Sequence, residues 1–209
     1  MSVYVWNTFC PTLFGTGALK ETGKKAKELG MHRVMVCTEK ALCDFKVVTQ
    51  VIDVLKEEEL EVFVFDKCKA DAPSDICDEG AAFVREHGID GIVAVGGGST
   101  LDTAKAVGII ISQHGTTIRD YYHIEEDAHE MKLITLNTTS GTGSELSQWA
   151  VIGDVVTGAK EMPVYKPDLA IVDPALTYSV PAGTTAATGM DVLAHCVDCL
   201  LYTSDAADD

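Results

Sequence analysis

A soluble α/β fold on a mostly parallel sheet is what the 209 residues predict, and three observations carry it. Short apolar runs recur at similar intervals, helical spacing fills the gaps between the first of them, and 46% hydrophobic with 23% charged residues is ordinary globular composition. Arg33–Cys37 (RVMVC), Glu61–Phe65 (EVFVF), 91–95 (GIVAV) and 132–136 (KLITL) read as strands buried on both faces, being apolar without interruption. Val47, Val48, Val51, Ile52 and Leu55 mark one intervening helix, and Cys77, Ala81 and Val84 mark the next. Pro73 at its first turn and Gly88 after Arg85-Glu86-His87 are start and stop signals. Strand and helix in alternation give βαβ units.

Past Leu136 comes Asn137-Thr138-Thr139-Ser140-Gly141-Thr142-Gly143-Ser144-Glu145, too polar for a core and expected as a working surface loop. Two more apolar runs, 150–152 and Leu169–Val172, lead through Pro174 and Pro181 to a helix starting within 182–188, which opens a second domain. From Cys199 onward the residues stop following any earlier pattern. Residues 199–209 therefore read as a non-native tail, with the natural sequence cut near Asp198.

A formal net charge of -16 excludes nucleic acid and anionic membrane as partners, since both require basic surface. Any phosphate must be held by backbone amides. Seven scattered cysteines (Cys10, Cys37, Cys43, Cys68, Cys77, Cys196, Cys199) suggest reduced thiols and a cytoplasmic setting. Cys196-x-x-Cys199 stands alone and reads as chance. No signal peptide opens the chain, and the longest apolar run, 106–111, is too short to cross a bilayer.

Gly96-Gly97-Gly98-Ser99 lies where a strand ends and a helix over 100–112 begins. Glycines admit a close ligand, and a helix start offers unpaired N–H groups and positive dipole to a pyrophosphate. The run is neither GxGxxG nor a P-loop. A tight turn with Ser99 as N-cap explains the loop alone equally well. Asp102 either caps that helix or hydrogen-bonds a substrate or nicotinamide group. Glu39, just past the first strand, can accept a ribose diol and repel a 2′-phosphate, or simply be a solvated charge. Asp191 and His195, four apart on a helix, share a face and can hold one divalent ion, although a surface aspartate and a core histidine are the bland alternative. A catalytic site needs at least three ligands, and His32, His87, His114, His123 and His129 read as surface residues. The missing ligands would lie downstream.

Together, Gly97-Gly98-Ser99-x-x-Asp102, Thr138-Thr139-x-Gly141-Thr142-Gly143-Ser144-Glu145, Asp168-Leu169-Ala170-Ile171-Val172-Asp173-Pro174 and Gly189-Met190-Asp191-x-x-x-His195 resemble the iron-containing (group III) alcohol dehydrogenases, over 14–198. The resemblance implies a Rossmann-like dinucleotide-binding domain (1–180), followed by the first helix (181–198) of an all-helical metal-binding domain. Gly97, Gly98 and Ser99 would hold the pyrophosphate, and Thr138, Thr139 and Thr142 would line the adenine and ribose side. Lys160 matches a family lysine near the ribose, and Glu39 stands where an aspartate often selects NAD over NADP. Asp191 and His195 match two of four ligands for Fe²⁺, with Zn²⁺ or another divalent metal as alternative; the other two are histidines absent here. Ala72-Pro73-Ser74 departs from the usual Asn-Pro-Thr.

The activity implied is NAD(P)-dependent interconversion of an alcohol with an aldehyde or ketone, in which the ion polarises the substrate oxygen, the nicotinamide carries hydride, and Ser99, Asp102 and Thr139 position the reactants. Asp102, Asp191 and His195 are the catalytic candidates. With half its ligand set, this chain is expected to be inactive or weakly active, and the full-length protein to be a candidate homo-oligomer. The rival readings are a glycerol dehydrogenase or dehydroquinate-synthase-like enzyme of the same fold, and a nucleotide-binding module without catalysis.

Overall fold

The computed structural model describes residues 10–124 and 129–203. A six-stranded sheet forms its centre: β1 (Thr12–Phe14), β2 (Arg33–Cys37), β3 (Glu61–Phe65), β4 (Gly91–Gly96), β5 (Lys132–Asn137) and β8 (Leu169–Val172). All adjacent pairs are parallel, in the order β1-β8-β5-β4-β2-β3. Counting β2 as first, the five inner and right-hand strands run 2-1-3-4-5, a doubly wound, Rossmann-like arrangement with β1 added at the far edge. A two-stranded ribbon, β6 (Ile152–Gly153) with β7 (Lys160–Glu161), stands apart.

Uninterrupted apolar strands need cover on both faces, and alternation sorts each strand between two cores. Met35, Cys37, Ile92, Ala94 and Leu133 point toward α4 (Ser74–His87) and α5 (Gly98–Ser112). Val34, Val36, Val93, Val95, Ile134 and Leu136 point toward α1 (Thr22–Glu28) and α3 (Lys46–Glu57), which α2 (Lys40–Cys43) precedes. β3 differs from expectation. Only Phe65 is buried and Val64 is 39% exposed, because β3 lies at the sheet edge, where neighbouring cover is partial.

The helix signals appear as read, with small shifts. Pro73 is the N-cap of α4 and Gly88 ends it at φ 58, a left-handed turn that favours glycine. Gly97, not Ser99, is the N-cap of α5. The run 150–152 supplies only the short β6. Two histidines read as surface residues are half-buried instead. His87 stacks on Phe63, and His129 lies against Tyr165 with Nε2 2.8 Å from Asp168 Oδ2. Cys10, Cys37, Cys43, Cys68, Cys77 and Cys196 are free thiols.

Helix α6 (Ala182–Thr203) follows β8 and runs past Asp198 without a break. It exposes Met190, Leu193 and Val197 at helical spacing. Among the described residues no helix is long and apolar enough to cross a membrane.

Packing of α1 on α3 rests on one glycine. A Cβ at Gly23 would lie 2.0 Å from the Val54 carbonyl oxygen, which is backbone and cannot swing aside. Gly23→Ala is expected to cost about 2 kcal/mol net, since overpacking outweighs the roughly 1 kcal/mol gained in helix propensity. Urea unfolding measures this, and an unchanged midpoint would refute it.

Candidate active site

The order of the sheet reverses at β2, whose chain continues to β3 on one side while β4 lies on the other. Ligands of open α/β sheets occupy the crevice beyond the carboxyl ends of such strands. Thr38, directly after β2, donates its Oγ1 proton to the Val95 carbonyl at 2.8 Å and ties the two strand ends together. Glu39 follows, half-buried at the start of α2, and its carboxylate does not cap that helix. It is therefore free for a ligand at the switch point.

Gly97 and Gly98 turn the chain from β4 into α5, and no side chain caps the helix. Its first amides and positive dipole end are left for an anion. The 138–145 loop lies directly over this turn. A Cβ at Gly97 would approach Thr139 Oγ1 to 3.4 Å, and one at Gly98 would approach Thr142 Oγ1 to 3.1 Å. Absence of side chains thus opens a cradle walled by two hydroxyls. The loop is pinned by the Thr138 N–H on the Gly96 carbonyl at 2.9 Å and by Asn137, whose Oδ1 accepts from the Thr139 N–H at 3.0 Å and Oγ1 at 3.1 Å. Thr138 itself is buried.

Ser99, in the first turn of α5, accepts the Asp71 N–H on Oγ at 3.1 Å. The Asp71 carboxylate pairs with Lys160 on β7. Lys160 thereby comes to the same rim as Ser99, through a residue that the sequence did not single out.

Asp102, expected either to cap α5 or to hydrogen-bond a substrate or nicotinamide group, lies in a mostly enclosed environment. It is 8% exposed and lies behind the loop, in a chain of hydrogen bonds with two partners that sequence reasoning missed. Lys105, fully buried, donates to Ser144 Oγ at 2.8 Å and to the Trp149 carbonyl at 2.7 Å; Ser144 in turn donates to Asp102 Oδ1 at 2.7 Å. The Lys105 ammonium is 3.5 Å from the same carboxylate. Burial pulls Lys105 down to about 8, with Asp102 opposing, and burial raises the Asp102 carboxyl despite Lys105 and Ser144. The available sequence signal was Asp102-x-x-Lys105, two opposite charges one turn apart on an otherwise apolar helix. Ser144 left none beyond its place in the loop.

Asp191 and His195 lie side by side on α6, with Oδ1 3.6 Å from Nε2. A Cβ at Gly141 would be 3.2 Å from Asp191 Oδ2 and 3.2 Å from Thr188 Cβ, so the hydroxyl-rich loop comes against α6 beside Asp191 and Thr188. A carboxylate and an imidazole on one face suit a divalent ion of the Fe²⁺ or Zn²⁺ kind. Among the described residues no three His, Cys, Asp or Glu side chains gather as a complete metal site. A cavity of about 800 Å³ lies elsewhere, lined by Lys20, Phe45, Gln50, Asp173 and Tyr178 among others. It has none of the cradle's glycines, and the crevice remains the better candidate.

The described geometry has known counterparts. The iron-containing alcohol dehydrogenase family profile matches residues 11–174. Choline dehydrogenase of Bacillus subtilis (strain 168) is 36% identical over 209 residues, covering 95% of this chain and 52% of that protein. NAD-dependent methanol dehydrogenase of Bacillus methanolicus is 36% identical, covering 92% of this chain and 52% of its own length. Among solved structures, sulfoacetaldehyde reductase from Bifidobacterium kashiwanohense in complex with NAD⁺ superposes with a TM-score of 0.81 at 33% identity, over 92% of this chain and 52% of that one. The chain thus spans about half the length of these relatives. With more than half of its residues matched by the profile, the chain belongs to the iron-containing alcohol dehydrogenase family.

Proposed function

We propose that this chain forms the dinucleotide-binding wall and the first metal-bearing helix of an NAD(P)-dependent alcohol dehydrogenase. The reaction is interconversion of a small primary or secondary alcohol with its aldehyde or ketone, the class to which the relatives' names point. The observation that carries this reading is the close approach of Gly141 to Asp191, which sets the loop over the glycine cradle beside one of the two donors on α6. Cofactor and ion then share one crevice.

In this reading 1–180 is the dinucleotide domain and 181–198 begins the helical metal-binding domain. The first amides of α5, with Gly97, Gly98 and the Ser99 hydroxyl, hold the pyrophosphate. Thr138, Thr139 and Thr142 shape the nucleoside side, and Lys160 reaches the ribose. Glu39 accepts the ribose diol, which favours NAD over NADP. Asp191 and His195 donate two ligands to Fe²⁺ or to Zn²⁺. When bound, the ion supplies Lewis-acid polarisation of the substrate oxygen and the nicotinamide supplies hydride chemistry. Asp102 acts from behind, holding Ser144 and thus the loop, a positioning role.

Titration of this chain with NADH, followed by fluorescence, tests the cradle. Gly98→Val, whose branches would press on Thr142, is expected to weaken binding about tenfold, about 1.4 kcal/mol. Equal affinity of the variant and its parent would sink the assignment. A second reading, nucleotide binding without turnover by these 209 residues alone, is favoured by the absence, among the described residues, of any group of three side chains gathered to hold a metal around Asp191 and His195. NADH binding with no alcohol oxidation under added Fe²⁺ or Zn²⁺ is its signature.

A further inference from the structure

Asp71 and Ala72 are consecutive left-handed residues at φ 67 and φ 44, and neither is glycine. Such backbone is costly and persists only where surrounding contacts over-determine it. Here they do. The Asp71 carbonyl accepts the Gly153 N–H at 2.9 Å, the Ala72 carbonyl accepts the same group at 3.2 Å, and the Ala72 side chain is fully buried. A Cβ at Gly153 would come within 3.0 Å of the Asp71 oxygen, so β6 clamps the turn closely. On the other side the Asp71 N–H binds Ser99 Oγ at 3.1 Å.

The clamp has two consequences for chemistry at the cradle. Because Ser99 Oγ accepts from Asp71, the hydroxyl proton is left for an outside acceptor. The Asp71 side chain, 75% exposed, meets the Lys160 ammonium at the rim of an anion cradle. A carboxylate there opposes an arriving pyrophosphate directly. It also occupies the ammonium that would otherwise favour that pyrophosphate.

We propose that Asp71 is a charge gate on the cradle: its carboxylate engages Lys160 and sets a deliberately moderate affinity for the dinucleotide, while its backbone orients Ser99. This rests on the cofactor reading above. Both electrostatic effects have the same sign, so removing the charge tightens binding. The relevant variant is Asp71→Asn, since asparagine tolerates left-handed backbone and keeps the clamp.

NADH titration of the 209-residue chain in low salt provides the test. Asp71→Asn is expected to bind about three- to fivefold tighter, the range open to an exposed ion pair. The gain should fade at roughly 1 M salt, where the screening length is about 3 Å. In a Lys160→Met background the same substitution should give a smaller gain, because no ammonium is released. If the parent binds NADH and Asp71→Asn binds equally or more weakly, the gate is wrong and the cradle stands. If the parent binds no NADH, both fall.

Discussion

Asp191→Ala and His195→Ala each remove alcohol turnover while leaving NADH binding intact, in a polypeptide carrying this chain together with the second half of its relatives' length. The expected loss in kcat/KM is at least about two orders of magnitude, since even residues supporting a metal ligand typically cost 10–100-fold when lost. The reasoning is spatial. Both donors lie on α6, whereas the cradle lies on α5 and the 138–145 loop, and the loop meets α6 at Gly141, beside Asp191 and Thr188 and away from the first turn of α5. Removing one donor therefore empties the ion site without disturbing the amides of α5. Metal content, an alcohol panel and an NADH titration on each variant form the check. Turnover preserved in both variants would remove the basis for placing an ion here.

Lys105→Met should be the most destabilising single change in the described residues named above. The substitution keeps the volume of a fully buried side chain but strips the ammonium from Ser144, the Trp149 carbonyl and Asp102. Losing one partner of a buried pair leaves an uncompensated charge, typically about 3–5 kcal/mol. Thermal unfolding of parent and variant measures this. A loss below about 1 kcal/mol would show that Asp102 relaxes to solvent. pH adds a second signature. Lys105 sits near 8 when folded, below its ordinary value of 10.5. Between those values the unfolded chain binds the extra proton, so stability from this group rises with pH across that window. The parent should gain on Lys105→Met as pH is raised from about 7 to about 10.

The central fold was legible because strands covered on both faces carry unbroken apolar runs. Arg33–Cys37 and Glu61–Phe65 fall where read, and the other two runs gain one residue each, Gly96 and Asn137, at their carboxyl ends. Edge and centre were not separable, since EVFVF looks the same with one neighbour or two. β1 is three residues long and left no pattern. α1 buries only Thr22, Gly23 and Ala26, so it shows no apolar stripe to read. In the site, glycines and threonines were legible as a cluster of turn formers after strands. Lys105 was not, because a lysine in sequence reads as solvent-facing and only tertiary packing reveals its burial. Asp71 was hidden for a related reason: its importance lies in a backbone angle fixed by Gly153 and Ser99, both distant in the chain.

Nearly every side chain of α5 from Thr100 to Ile110 is enclosed, and Gly108 lets Tyr165 pack directly against its backbone. A helix gripped all around cannot tilt or slide to meet a guest. Adjustment on closure must then be taken up by the opposing wall, with α5 as the fixed jaw.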